Sequence, residues 1–181
     1  MGLLAQLGES VEQATVVPWA EVGAELQNRI GGAIASTAPN PDGVVYPETT
    51  AALSKVMAQA SRQGWRVLTM GQGSKLSWGG QAEGIDLVVS AARLNRVVEH
   101  AGGDFTVTVE PGVRFSTLQQ QLATHRQFLA IDPAFSSQAT VGGLVATADA
   151  GSLRQRYGGL RDMLIGVQFV RHDGEVARAG G

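Results

Sequence analysis

Apolar positions along this chain change their spacing several times, and each change marks an element. Val44-Val45-Tyr46 is a short apolar run and predicts a strand. Pro47-Glu48-Thr49-Thr50 then offers a helix start with a threonine as cap. Leu53, Val56, Met57 and Ala60 recur at helical spacing, which predicts a helix with 51–62 as its body. Gly64 ends it, and 65–69 reads as the next strand. Leu87-Val88-Val89 reads as a buried strand. Val97-Val98-Glu99 and 105–110 read as a hairpin through Ala101-Gly102-Gly103-Asp104, the second strand alternating Thr106, Thr108 and Glu110 with Val107 and Val109. Residues 115–125 form a helix with Leu118 and Leu122 inward. Strands at 164–170 and 175–178, joined by His172-Asp173-Gly174, close the chain. Upstream, residues 1–30 read as helical and amphipathic in parts. The Pro-, Asn- and Asp-rich loop 37–43 places a boundary there.

This order yields an α+β fold with a β-α-β unit that feeds directly into a glycine-rich loop. Two lobes are expected, about 43–103 and 104–181, behind an N-terminal helical segment and linker at 1–42. The first lobe is expected as a small β-α-β unit, and the second as a sheet with helices on one side. The chain has 181 residues, about one domain's worth, and no repeat of solenoid length. A formal net charge of −2 without a basic block argues against nucleic acid as the main partner. The absence of cysteine excludes disulfides, thiolate chemistry and a cluster held by this chain's own thiolates. No apolar run reaches the roughly 18 residues of a membrane span. The N-terminus makes a poor secretory signal, so a cytoplasmic protein is expected. The 24 glycines are well above average usage.

Most of that excess lies in clusters, and the first is Thr69–Gly80, TMGQGSKLSWGG. Packed glycines serve either a tight connector or a nest of N–H groups around an anion. The Walker pattern fails here, because Lys75 follows Ser74 and precedes Leu76. The dinucleotide fingerprint fails as well, because Leu76 stands where its third glycine belongs. Ser77-Trp78-Gly79-Gly80 is a poor helix start, so a phosphate held here would rest on loop N–H groups alone. From these residues both readings stay open.

The series Gly71-Gln72-Gly73-Ser74, Val109-Glu110-Pro111-Gly112-Val113, Asp132-Pro133, Thr140-Val141-Gly142-Gly143 and Arg156-Tyr157-Gly158 resembles a known family. It is the FAD-binding domain of the vanillyl-alcohol oxidase and p-cresol methylhydroxylase type, and within it the FAD-binding E subunits of bacterial glycolate oxidase. The likeness runs from about Gly43 to Gly181. It implies a two-lobed FAD-binding fold of that type. It also implies that Met70, Gly71, Gln72, Gly73, Ser74 and Lys75 wrap the FAD pyrophosphate. Pro111 and Gly112 would back the cofactor. Ser136, Thr140, Val141, Gly142, Gly143, Ala146 and Thr147 would line the diphosphate and ribityl chain. Some relatives bond the flavin through a histidine near the first loop; His100, His125 and His172 all lie elsewhere, so non-covalent FAD is expected, held weakly or not at all by this truncated chain. Arg161 and Asp162 are expected to be structural, each paired, and the histidines to be solvated or capping. No catalytic residue and no metal ligand set is expected.

By the same resemblance the chain covers only the front part of a flavoenzyme subunit, truncated relative to the full domain. The expected partners are a second FAD subunit and an iron–sulfur subunit, and an uncovered sheet edge invites self-association. The function implied is oxidation of a 2-hydroxy acid of the glycolate type. A non-catalytic assembly module, or a sugar, alcohol or cell-wall-precursor flavoenzyme of the same fold, are the alternatives.

Overall fold

The computed structural model describes residues 2–181 and divides into two compact units. One runs up to Arg93 and takes in Gly166–Gly181; the other is Leu94–Ile165. These divisions differ from the lobes expected at 43–103 and 104–181, because the closing hairpin joins the first unit rather than the second.

The first unit is built on a four-stranded sheet in the order β1-β2-β4-β3. Strands β2 (Gly43–Pro47), β3 (Val67–Met70) and β4 (Leu87–Ser90) run parallel, and β1 (Ala14–Pro18) is antiparallel to β2. Alternation along the strands serves two cores. Val45, Leu87 and Val89 point to one face, where Leu7, Val11, Ala52 and Val56 cover them. Val44, Val88 and Met70 point to the other, with Val22, Ile30, Ile34 and Ile85. Each fully buried aliphatic side chain is worth about 1.5–3 kcal/mol.

Helices α1 (Leu3–Ser10), α2 (Ala24–Gly31) and α3 (Thr50–Gln63) supply these covers. The expected helix at 51–62 is α3, capped as anticipated: the Ala52 amide donates to Thr49 Oγ1 at 3.1 Å, and Gly64 turns the chain at φ 69°. The reading of 1–30 as helical is corrected at Ala14–Pro18. There Thr15-Val16-Val17, a β-branched run, pairs with β2 as a fourth strand. The strand ladder with β2 overrides the helical reading, and the segment belongs to the sheet rather than to a linker.

The closing hairpin, β7 (Gly166–Val170) with β8 (Val176–Gly180), seats its turn on α3. Ser54 Oγ donates to the Gly174 carbonyl at 2.5 Å. Gly174 has φ 87°, and a Cβ there would stand 2.5 Å from the Ser54 carbonyl oxygen. Only glycine meets both conditions.

The second unit opens with the hairpin β5 (Val97–Ala101) and β6 (Thr106–Val109). Arg96 clasps Glu110, with Nη2 2.7 Å from Oε1. Burial pushes the Glu110 carboxyl up, but the Arg96 hydrogen bonds outweigh it and hold it below its ordinary value. Helix α4 (Phe115–Ala123) buries Leu118 and Leu122 against this hairpin, as expected, and Phe115 against α5 (Val141–Thr147) and Ile131. Two single turns, α6 (Arg154–Tyr157) and α7 (Leu160–Met163), complete the unit. The single second sheet expected over 105–178 is two separate ladders, β5-β6 and β7-β8. Pro111 brings no N–H to extend β6, and helices and turns fill the chain up to β7.

Asp132 organises the turns before α6. Its Oδ1 accepts the Leu153 amide at 2.7 Å and its Oδ2 the Ser152 hydroxyl at 2.5 Å. Those bonds, the Leu153 amide first, hold the carboxyl below the usual carboxylate value.

Two outcomes follow from this architecture. Leu7→Ala should cost about 2–5 kcal/mol in urea unfolding, as for a core leucine; a change under about 0.5 kcal/mol would detach α1 from the core. Asp132 has a folded-state pKa below its unfolded one, so its stabilisation is complete above about pH 4 and is lost as pH falls through the depressed value. Asp132→Asn should therefore destabilise at neutral pH, and the gap to the parent chain should close as the medium is acidified.

Candidate functional site

Strand β3 delivers the chain to the first glycine cluster. Its last residue, Met70, buries its side chain in the core and leaves only its backbone to the loop. Loop 71–75 follows, and a single 3-10 turn, Leu76–Trp78, ends it without an α-helix. Two carbonyls of this loop are tied down by side chains from the same unit. Ser90 Oγ donates to the Gly71 carbonyl at 2.9 Å, and Arg29 Nη1 donates to the Gln72 carbonyl at 3.0 Å. Arg29 is itself paired with Glu25 one turn earlier on α2.

Gly73 has φ 74°. A Cβ there would point at Leu76, Met70 and Leu26, the nearest carbon 3.3 Å away. The glycine is thus needed for its left-handed backbone and for the apolar side chains behind it. Among the described residues, the N–H groups of Gln72, Gly73 and Ser74 meet no acceptor. Successive open backbone donors are the elements from which an anion-binding nest is built. The Lys75 ammonium is shielded from solvent and lies 5.2 Å from the centre of the Trp78 ring, within cation–π range.

The second cluster is held together within its own unit. Thr140 caps α5, its Oγ1 accepting the Gly143 amide at 3.3 Å. The Val141 amide donates to the Val113 carbonyl at 2.9 Å and the Gly142 amide to the Pro111 carbonyl at 2.8 Å. A Cβ on Gly142 would lie 2.6 Å from Pro111 Cβ, so glycine here permits a close approach of chain to chain. Gly112 in turn donates to the Leu94 carbonyl at 2.7 Å. The structure therefore brings Pro111, Gly112, Thr140, Val141 and Gly142 together. It also spends the amides of the first turn of α5 on internal bonds. Ser136 stands apart in an exposed turn. Ala146 and Thr147 are exposed on α5, and the Thr147 hydroxyl donates back to the Gly143 carbonyl at 2.9 Å.

Arg29 and Ser90 were not legible as site residues. Ser90 carried one signal, a polar residue closing the apolar run Leu87-Val88-Val89, and it is buried. Arg29, 43 positions from its acceptor, carried none. The histidines are less scattered than their positions implied: the rings of His100 and His125 meet edge to face at 4.6 Å, and His100 Nε2 lies 2.8 Å from Gln127 Oε1. Asp162 caps α7 by accepting the Gly159 amide at 2.8 Å. Arg161 makes no ion pair among the described residues, against expectation. No cluster of three or more metal-ligating side chains forms among the described residues, and none of their helices is long and apolar enough to cross a membrane.

Known proteins resemble this chain in sequence and in fold. The chain is similar to the glycolate oxidase subunit GlcD of Bacillus subtilis, 28% identical over 141 residues, which covers 78% of this chain and 30% of the relative. It is similar to the mitochondrial D-lactate dehydrogenase (cytochrome) of Arabidopsis thaliana, 28% identical over 138 residues, 76% of this chain and 24% of that one. The D-2-hydroxyglutarate dehydrogenase of Escherichia coli is 30% identical over 138 residues, 75% and 14%. The chain thus spans less than a third of the length of these curated relatives. Among solved structures, a chitooligosaccharide oxidase superposes with a TM-score of 0.72 at 20% identity, over 98% of this chain and 36% of the other. A berberine bridge enzyme variant does so with 0.75 at 17%, over 98% and 37%. These two likenesses establish the fold. The family described as the FAD binding domain matches residues 41–180, which include both glycine clusters, and the chain belongs to that family.

Proposed function

We propose that this chain forms the FAD-binding part of a flavin-dependent 2-hydroxy-acid oxidoreductase of the glycolate oxidase type. The observation that carries the reading is the row of open N–H donors at Gln72, Gly73 and Ser74, on a loop whose Gly71 and Gln72 carbonyls are already engaged. Such a row suits a diphosphate, whose charge strengthens each hydrogen bond. Lys75 adds positive charge beside it. Pro111, Gly112, Ser136, Thr140, Val141, Gly142, Gly143, Ala146 and Thr147 are proposed as further cofactor contacts. Since the first-turn amides of α5 are spent internally, these residues would contribute shape, close backbone approach and the exposed Ser136 hydroxyl rather than free N–H groups.

The flavin itself supplies hydride acceptance, and the chain's task is to hold and orient it. It holds FAD without a covalent bond. The choice of a 2-hydroxy acid rests on the relatives, which are named for glycolate, D-lactate and D-2-hydroxyglutarate. The assembly we infer includes a second FAD subunit and an iron–sulfur subunit in the cytoplasm; lacking cysteine, this chain leaves the cluster to a partner. Val167, Phe169 and Val176 lie exposed on the closing hairpin and favour association with another chain.

Fluorescence titration of this chain with FAD and with riboflavin tests the reading. FAD alone carries the diphosphate and should bind on the order of tenfold tighter or more, about 1.4 kcal/mol. Equal affinities would refute the diphosphate role of loop 71–75. The flavin-loaded chain by itself is expected to reduce no acceptor dye with glycolate. Turnover without added subunits would place a complete active site within these 181 residues.

A further inference from the structure

We infer that Arg29 and Ser90 are positioning residues that aim the diphosphate-binding amides, an inference that rests on the reading of loop 71–75 above. A trans peptide is planar, and its C=O and N–H point in opposite directions. Fixing a carbonyl therefore fixes the direction of the next residue's N–H. Ser90 Oγ holds the Gly71 carbonyl at 2.9 Å, which turns the Gln72 N–H away from the end of β4. Arg29 Nη1 holds the Gln72 carbonyl at 3.0 Å, which turns the Gly73 N–H away from α2. Two successive donors are thus each fixed in direction before any ligand arrives, and the reorganisation that binding would otherwise require is reduced.

Both anchors are themselves fixed. Ser90 is buried at the end of a strand paired along its length. Arg29 is held by Glu25, and the segment just after its helix is tied to the chain beyond the loop: the Ala35 amide donates to the Ala82 carbonyl at 2.9 Å, and the Ala82 amide to the Ala33 carbonyl at 2.9 Å. Arg29 lies outside the stretch that matches the family, residues 41–180. The N-terminal segment thereby contributes to the site without touching its ligand.

The test is a titration of the uniformly labelled chain with inorganic pyrophosphate, read at individual amide resonances. In the parent chain the Gln72, Gly73 and Ser74 resonances should shift and saturate, while those of Val141 and Gly142 stay in place. Ser90→Ala and Arg29→Met should each weaken that saturation about tenfold, roughly the loss of one anchored donor. The rest of the spectrum should keep its dispersion. Arg29→Lys retains the charge and a single donor and should restore most of the affinity. If the parent chain's loop amides do not respond, the diphosphate reading itself falls. If they respond and both variants bind pyrophosphate like the parent, the positioning role alone is overturned. Should Arg29→Met lose its fold, Ser90→Ala and Arg29→Lys decide: a tenfold loss in the first with near-parent binding in the second supports the inference, and parent-like binding in both refutes it.

Discussion

Strand β4 is the constraint on which the first unit depends. Every residue of Leu87-Val88-Val89-Ser90 is buried, and parallel neighbours flank it on both sides. A strand in that position accepts no charge, tolerates no slip of register, and needs apolar cover above and below. Helices α1 and α3 cover one face and α2 the other. The loop geometry follows from the same strand, because its terminal Ser90 is the hydroxyl that reaches back to the Gly71 carbonyl. The core and the candidate phosphate loop thus share a single residue at the point where one ends and the other begins.

Glycine does three different things in this molecule. At Gly73 it supplies a left-handed backbone over apolar side chains. At Gly142 it lets a helix start lie against Pro111 with no room for a Cβ. At Gly174 it does both, where a hairpin turn meets α3. A sequence shows the three alike. Only the neighbours separate them, and the neighbours lie far along the chain. The two glycine clusters, one expected to wrap the pyrophosphate and the other to line the diphosphate and ribityl chain, accordingly differ in hydrogen bonding. One has amides to offer and the other has used them.

Elements with strong local signals were legible. Helix α3 had its cap, its apolar stripe and its terminal glycine, and Leu87-Val88-Val89 had no polar interruption. The β5-β6 hairpin had its turn residues. What escaped notice was set by distant partners. Thr15-Val16-Val17 becomes a strand because β2 is there to receive it. Arg29 and Ser90 act on a loop 43 and 19 positions away. His100 and His125 meet through the fold and not through any shared motif. The candidate site was visible as a composition, and its hydrogen-bond geometry was not.

The seating of the Gly174 turn on α3 bears on how the chain folds. Ser54 and its acceptor are 120 residues apart, and the second unit lies wholly within that interval. Closing so long a loop costs entropy that grows as about (3/2)RT ln n, and distant contacts of this kind slow folding. A nascent chain emerging from the ribosome must leave that patch of α3 bare until the hairpin has been synthesised. If the intervening unit acquires structure first, the interval behaves as a shorter tether and closure becomes easier. The order of synthesis and the order of assembly then differ: the first unit begins before the second and is completed after it.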